Sequence, residues 1–183
     1  MVESNDVFYI LTNYGDVEDF RIMTTSKTSP GKENWVELVA HKSGCLIQTN
    51  FVLKDVMVRL EREDGLPRII IHDLTNQSEH EIAFNEEAYA LDLRSGYEFD
   101  TNEIRFSYSS MTTPSQIFDY NVRTKERLLR KEQENPSGHS PSDYVTKRIL
   151  ASAKDGENVP VSLVYHKDTS LDESAPCLLY GYG

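Results

Sequence analysis

Val56-Met-Val-Arg-Leu60 and Arg68-Ile-Ile-Ile-His72, joined through Glu63-Asp-Gly65, are the stretch on which the fold turns. Each run is short, apolar and rich in β-branched residues, which suits a buried strand and is too brief for a helix. Asp-Gly between them is a strong signal for a tight hairpin turn. Moving outward by a fixed step finds the pattern twice more. Val7-Phe-Tyr-Ile-Leu11 and Ile104-Arg-Phe-Ser-Tyr108 match the first strand, with Tyr9 to Val58 spanning 49 positions and Val58 to Phe106 spanning 48. Phe20-Arg-Ile-Met-Thr24 and Gln116-Ile-Phe-Asp-Tyr120 match the second, and Phe20, Arg68 and Gln116 are 48 and 48 apart. A third strand closes each unit at Trp35–Val39, Glu79–Ala83 and Glu126–Leu129, and apolar stretches at Leu46–Leu53 and Ala88–Leu93 open the second and third units. The first unit shows no opening strand.

Four short strands per period of this length are the pattern of a β-propeller blade, a small twisted sheet that covers its faces by stacking on neighbours. A three-sheet β-solenoid and a sandwich are the alternatives; the offsets favour blades because they hold for several strands at once. Residues 1–134 therefore read as an arc of about three blades. Closed propellers have about four to eight, so further blades are expected upstream. An uncovered arc should expose large apolar lateral faces, and such patches promote association; marginal folding or aggregation of the isolated chain is the expectation.

The 183 residues are 38% hydrophobic and 27% charged, enough for a core and a solvated surface, with a net charge of −11. That charge argues against nucleic acid and against an anionic membrane as partners. Cys45 and Cys177 are far apart and each sits in an apolar run. They read as two buried thiols in a reducing compartment, with no disulfide. The acidic start, Met1–Asp6, precedes no apolar signal region, and no run approaches a membrane span. A cytoplasmic protein is expected, with no oligomeric state legible.

Asn135-Pro-Ser-Gly-His-Ser-Pro141 breaks the repeat and reads as a linker, placed at 135–143. Beyond it, Tyr144–Leu150 and Val159–Tyr165 form an expected hairpin around Asp155-Gly156. His166–Ser174 is a polar loop leading to Cys177-Leu-Leu-Tyr180, which reads as a short buried strand, and Gly181-Tyr-Gly183 turns sharply off it. Open α/β sheets bind ligands outside such strand ends.

With the repeat, the linker and Leu178-Leu-Tyr-Gly-Tyr-Gly183 in view, the chain resembles the prolyl oligopeptidase family of serine peptidases, and within it the oligopeptidase B (protease II) branch. The resemblance rests on Arg105-Phe-Ser-Tyr-Ser-Ser-Met-Thr-Thr-Pro-Ser-Gln116 with Phe118-Asp-Tyr120, on Ala153-Lys-Asp-Gly156 with Val159-Pro160, and on the terminal Tyr-Gly-Tyr-Gly. Gly65-Leu-Pro-Arg68 and His80-Glu-Ile-Ala-Phe-Asn85 tilt it toward the oligopeptidase B branch. It implies a seven-bladed propeller of four-stranded antiparallel sheets on an α/β-hydrolase domain, whose first strands would be residues 144–183. It also implies hydrolysis of short peptides after Lys or Arg by a Ser-His-Asp triad. Proline specificity and a non-catalytic propeller binding module are the alternatives.

Carried over residue by residue, the resemblance makes Tyr182 an oxyanion donor, since the second tyrosine of Tyr-Gly-Tyr-Gly has that role in the family. A neutral phenol suits it, because it stabilises developing charge without ionising. The alternative is a tyrosine that merely packs on the sheet edge. No Gly-x-Ser-x-Gly elbow occurs in the chain. The triad is expected downstream of Gly183, and this chain alone is expected to be inert. Ser107, Ser109 and Ser110 read as structural residues of a blade, and His72 and His80 as strand or surface residues. No histidine has ligand spacing, so neither metal nor other cofactor is expected.

Overall fold

In the computed structural model, residues 2–4 and 6–181 are described, the side chains of 2–4 excepted. Three four-stranded antiparallel sheets follow one another along the chain. The first comprises β1 (Val2–Ser4), β2 (Val7–Thr12), β3 (Arg21–Ser26) and β4 (Val36–Val39). The second comprises β5 (Cys45–Val52), β6 (Val56–Glu63), β7 (Leu66–Asp73) and β8 (Glu79–Glu81). The third comprises β9 (Tyr89–Arg94), β10 (Glu103–Ser110), β11 (Gln116–Asn121) and β12 (Arg127–Glu132). Strand order within each sheet follows the chain, so every connection is a simple antiparallel step. This is the arrangement of propeller blades. The first unit does have its opening strand: β1 pairs with β2 through Val2–Ser4, three residues too few to carry a period.

The second sheet is the hub. Asp64 and Gly65 form the two-residue link between β6 and β7, both with positive φ (49° and 76°), as a twist-matched hairpin turn requires. β6 is buried from Val56 to Glu61 because it is covered on both sides. Val58 and Leu60, with Ile69 and Ile71 of β7, pack on Ile104, Phe106 and Tyr108 of β10. Met57 faces the other way, with Tyr9, Ile22 and Ile47. Phe106, Val58, Ile69 and Met57 are fully buried, and each such side chain contributes about 1.5–3 kcal/mol over leaving it in water. Two interfaces thus hold three sheets together.

They differ in chemistry. The interface between the second and third sheets is apolar, sealed by Arg127, whose guanidinium lies 4.6 Å from the Phe84 ring centre and within 6 Å of Phe106 and Phe118. The interface between the first and second carries buried charge, because Arg59 and Glu61 share the Met57 face of β6 and are only 5% and 6% exposed.

The outer face of the third sheet contradicts the expectation of an apolar lateral patch. Opposite the buried Ile104, Phe106 and Tyr108, β10 presents Glu103, Arg105, Ser107 and Ser109, and Asp92, Arg94 and Asp119 pair beside them. Ala90, Ile117 and the 56%-exposed Leu128 are its apolar members. Polar residues solvate this face.

Past β12, β13 (Tyr144–Ser152) and β14 (Asn158–His166) form the expected hairpin, closed at Gly156 with φ 91°. The expected strand at Cys177–Tyr180 is not formed. That segment is irregular, and Leu178, Leu179 and Tyr180 are 91%, 85% and 80% exposed. Cys177 is accordingly exposed, while Cys45 is buried as expected and both thiols are free. Among the described residues, no helix is long and apolar enough to cross a membrane.

Candidate functional site

The hairpin meets the ends of the second and third sheets. The turns that converge there are Asp64-Gly65, the β8–β9 connection with Glu86 and Glu87, and the β10–β11 turn Ser110–Pro114.

Glu86 organises the last of these. Its carboxylate accepts from Thr113 Oγ1 (2.5 Å) and Thr112 Oγ1 (3.2 Å). Burial would raise its pKa, but hydrogen bonds from Ser110, Thr113, Tyr108 and Thr112 outweigh that and lower it, so the group is a carboxylate at neutral pH. Ser110 Oγ in turn accepts from the backbone N–H of Thr112 and Thr113 (3.0 and 2.8 Å). Ser110, the last residue of β10, thus holds the turn that follows it, and Ser107 and Ser109 lie within the same strand, all three structural residues of a blade.

The ordered turn presents its Thr112 carbonyl to the linker, where His139 Nε2–H donates to it at 2.6 Å. The His139 ring lies 5.0 Å from that of Tyr144, the first residue of β13, and Tyr144 meets His166 edge-on at 5.6 Å. Asp143 pairs with Lys167 at 2.7 Å. The linker is pinned at its middle and at its end. An open groove of about 470 Å³ remains between the turn and the linker, lined by Met111, Pro114, Gln133, Asn135 and His139 among others.

Two contacts seat the hairpin itself. The backbone N–H of Arg148 donates to Glu87 Oε2 (2.9 Å), and Thr112 and Thr146 hydroxyls are 3.5 Å apart. Gly65 lies so close that a Cβ there would stand 3.4 Å from Pro160 and 3.5 Å from Arg148 Nη2. None of Glu86, Glu87, His139 or Arg148 was legible as a contact residue. Gly65, Thr112 and Pro160 do sit inside the motifs quoted above.

Tyr182, the expected oxyanion donor, lies outside the described residues. His72 and His80 are strand residues. His72 Nδ1 is 2.7 Å from Glu79 Oε1 in the interface between the first two sheets, and His80 Nε2 shares a 3.0 Å hydrogen bond with Tyr120. Burial lowers the His80 pKa, which keeps that ring neutral. Among the described residues, no three His, Cys, Asp or Glu side chains converge as metal ligands would.

Comparison with known proteins agrees with this architecture. Residues 1–133 match the model of the prolyl oligopeptidase N-terminal beta-propeller domain, whose boundary falls one residue past the end of β12. The chain is 35% identical over 179 residues to dipeptidyl aminopeptidase BI of Pseudoxanthomonas mexicana and 27% identical over 179 residues to protease 2 of Moraxella lacunata. Each alignment covers 97% of this chain, but only 24% and 25% of those proteins. The chain thus spans about a quarter of the length of the relatives it matches. Oligopeptidase B from Trypanosoma brucei, in a closed form with covalently bound antipain, superposes with a TM-score of 0.85 at 30% identity, over 97% of this chain and 26% of that one. Oligopeptidase B from Leishmania major gives 0.85 at 28% identity, over 98% of this chain and 26% of its own. A propeller match over residues 1–133, three blade-like sheets and a hairpin seated on their ends place this chain in the prolyl oligopeptidase family.

Proposed function

We propose that this chain is the part of a serine oligopeptidase where the propeller joins the peptidase domain. Residues 1–134 are the last of seven blades, 135–143 the linker, and 144–183 the first strands of the α/β-hydrolase domain. The enzyme hydrolyses short peptides after Lys or Arg through a Ser-His-Asp triad contributed by residues beyond Gly183, so this chain alone is inactive. Tyr182 donates its phenolic hydrogen bond to the oxyanion of the tetrahedral intermediate, beside a backbone N–H near the nucleophile.

The observation that carries this reading is the superposition on oligopeptidase B, which extends over 97% of the chain and so takes in blades, linker and hairpin together. A cationic substrate side chain also fits a protein of net charge −11, because a buried cation needs a paired anion. A second reading is dipeptide release from a free N-terminus, favoured by the 35% identity to dipeptidyl aminopeptidase BI.

The test is a panel of chromogenic peptides offered to the full-length protein, with Arg, Lys or Pro before the scissile bond and the N-terminus either blocked or free. The proposal expects turnover of blocked Arg and Lys peptides, abolished by a serine-directed fluorophosphonate. Turnover of only unblocked dipeptide substrates supports the second reading, and turnover of Pro peptides alone overturns Lys/Arg specificity. No turnover and no labelling would leave a binding module.

A further inference from the structure

Two guanidinium groups converge on the β6–β7 turn where the hairpin is seated. Arg62 Nη1 donates to the Gly65 carbonyl at 2.9 Å. Arg148, from β13, lies across the same residue, with Nη2 3.5 Å from where a Gly65 Cβ would stand. Arg148 Nη2 is withdrawn from water, and no described residue accepts a hydrogen bond from it. Neither arginine forms an ion pair with a described carboxylate.

The carboxylates nearby are committed. Glu63 holds Lys42 and Arg68, and Glu81 holds Arg68 at 2.6 Å. Glu87 accepts from the Arg148 backbone N–H at 2.9 Å. An arginine side chain remains a cation in proteins, and a charged donor taken from water without an acceptor is costly. The hairpin face around Arg148 is unfinished as well. By strand alternation and register, Thr146, Arg148, Leu150, Pro160, Ser162 and Val164 share one face. Thr146 and Pro160 meet the blades, yet Leu150 is 62% exposed and Val164 44%. Whatever covers this face has to be apolar over most of its contact and anionic at one point.

We propose that Arg148, with Arg62 beside it, receives a carboxylate side chain of the same polypeptide, carried by a segment beyond residue 183 that packs on Leu150 and Val164. Charge selects the chemistry, because two guanidinium groups stand there with no anion. Length selects the source, because the relatives are about four times as long as this chain and a domain begun by this hairpin has polypeptide with which to continue. The inference rests on residues 144–183 being the start of a larger domain and on no part of the peptidase chemistry. Loss of the ion pair and loss of turnover are therefore separate results.

The test is amide exchange of the full-length protein at neutral pH, read by mass spectrometry across β13 and β14. Arg148→Met keeps the aliphatic stem beside Gly65 and removes the charge. With a carboxylate opposite, that variant leaves a buried anion alone, and exchange along the hairpin is expected to rise about ten-fold or more. Arg148→Lys, which keeps the charge, should recover part of that protection. Exchange that is unchanged or slower in Arg148→Met means that the cation has no anion and overturns the proposal. Carbodiimide coupling of the Arg148→Lys protein identifies the source, since the introduced amine condenses with the carboxylate it meets. A link to an Asp or Glu beyond residue 183 of the same molecule is expected. A link to Asp64, Glu81 or Glu87, or one between molecules, puts the acceptor elsewhere and overturns it.

Discussion

Arg59 grips Glu79 with two parallel hydrogen bonds, Nη1 to Oε1 at 2.7 Å and Nη2 to Oε2 at 2.9 Å, inside the interface between the first two sheets. Its Nε is spent on Glu61 at 2.5 Å, and His72 approaches Glu79 from the other side. Burial opposes the charge on Arg59, but the hydrogen bonds it donates to Glu79 and Glu61 prevail and its pKa rises.

Removing that cation leaves carboxylates without compensation in a buried seam, a loss of about 3–5 kcal/mol. Arg59→Met should therefore lower the thermal midpoint sharply. Arg59→Lys should recover little, since a point charge cannot make both forked bonds. Hydrogen bonds from His72 and Arg59 hold the Glu79 pKa at about 2, below its ordinary 4.5. The folded value is depressed, so the stabilisation is complete above pH 4.5 and is lost as pH falls from there toward 2. Thermal midpoints measured across that window should fall with acid, and Glu79→Gln should flatten the slope.

Arg127 seals the other interface. Its guanidinium lies over Phe84, and Nη2 donates to the Ala83 carbonyl at 2.6 Å. Burial lowers its pKa, a sign that it is partly withdrawn from water. Arg127→Ala should cost about 1–3 kcal/mol through the lost cation–π contact and hydrogen bond. Arg127→Lys, which keeps the charge, should regain part of it in urea denaturation.

Glu87 fastens the hairpin through the Arg148 backbone N–H. Glu87→Ala should speed amide exchange at Arg148 and along β13 while leaving the β6 amides unchanged. Equal exchange in both proteins would show that Thr112, Thr146 and the Gly65–Pro160 approach seat the hairpin without it.

Cys45 and Cys177 should report folding. Burial pushes the Cys45 thiol up to about 11, with Glu61 beside it adding to the effect. Its thiolate, the reactive form, is scarce at neutral pH, whereas Cys177 is exposed. A thiol reagent should label one site in the native protein and the second only on unfolding. Two sites labelled at one rate would contradict the burial of Cys45.

Much of this was legible because the two central strands of the second sheet, β6 and β7, are buried on both faces. Val56–Leu60, broken by Arg59 alone, and Ile69–Ile71 read as apolar runs, and their counterparts recur at near-constant spacing. What escaped the sequence lacked a local cause. β1 is three residues long and shows no period. Arg59 and Glu61 alternate with Val58 and Leu60 as solvent-facing residues would, and only the first sheet turns their side into an interface. Cys177–Tyr180 is apolar enough for a core strand, but a strand needs a ladder to join, and the segment belongs to none of the sheets formed by the described residues. Glu87 and Arg148 meet across 61 positions, which no motif spans.

The central claim is that the Tyr-Gly-Tyr-Gly terminus serves a serine peptidase by stabilising negative charge. Steady-state kinetics of full-length wild-type and Tyr182→Phe enzymes on a blocked Arg peptide test it most directly. The account predicts a fall in kcat of about 10²–10³-fold, with KM and the thermal midpoint nearly unchanged. An unaltered kcat in that variant would contradict it.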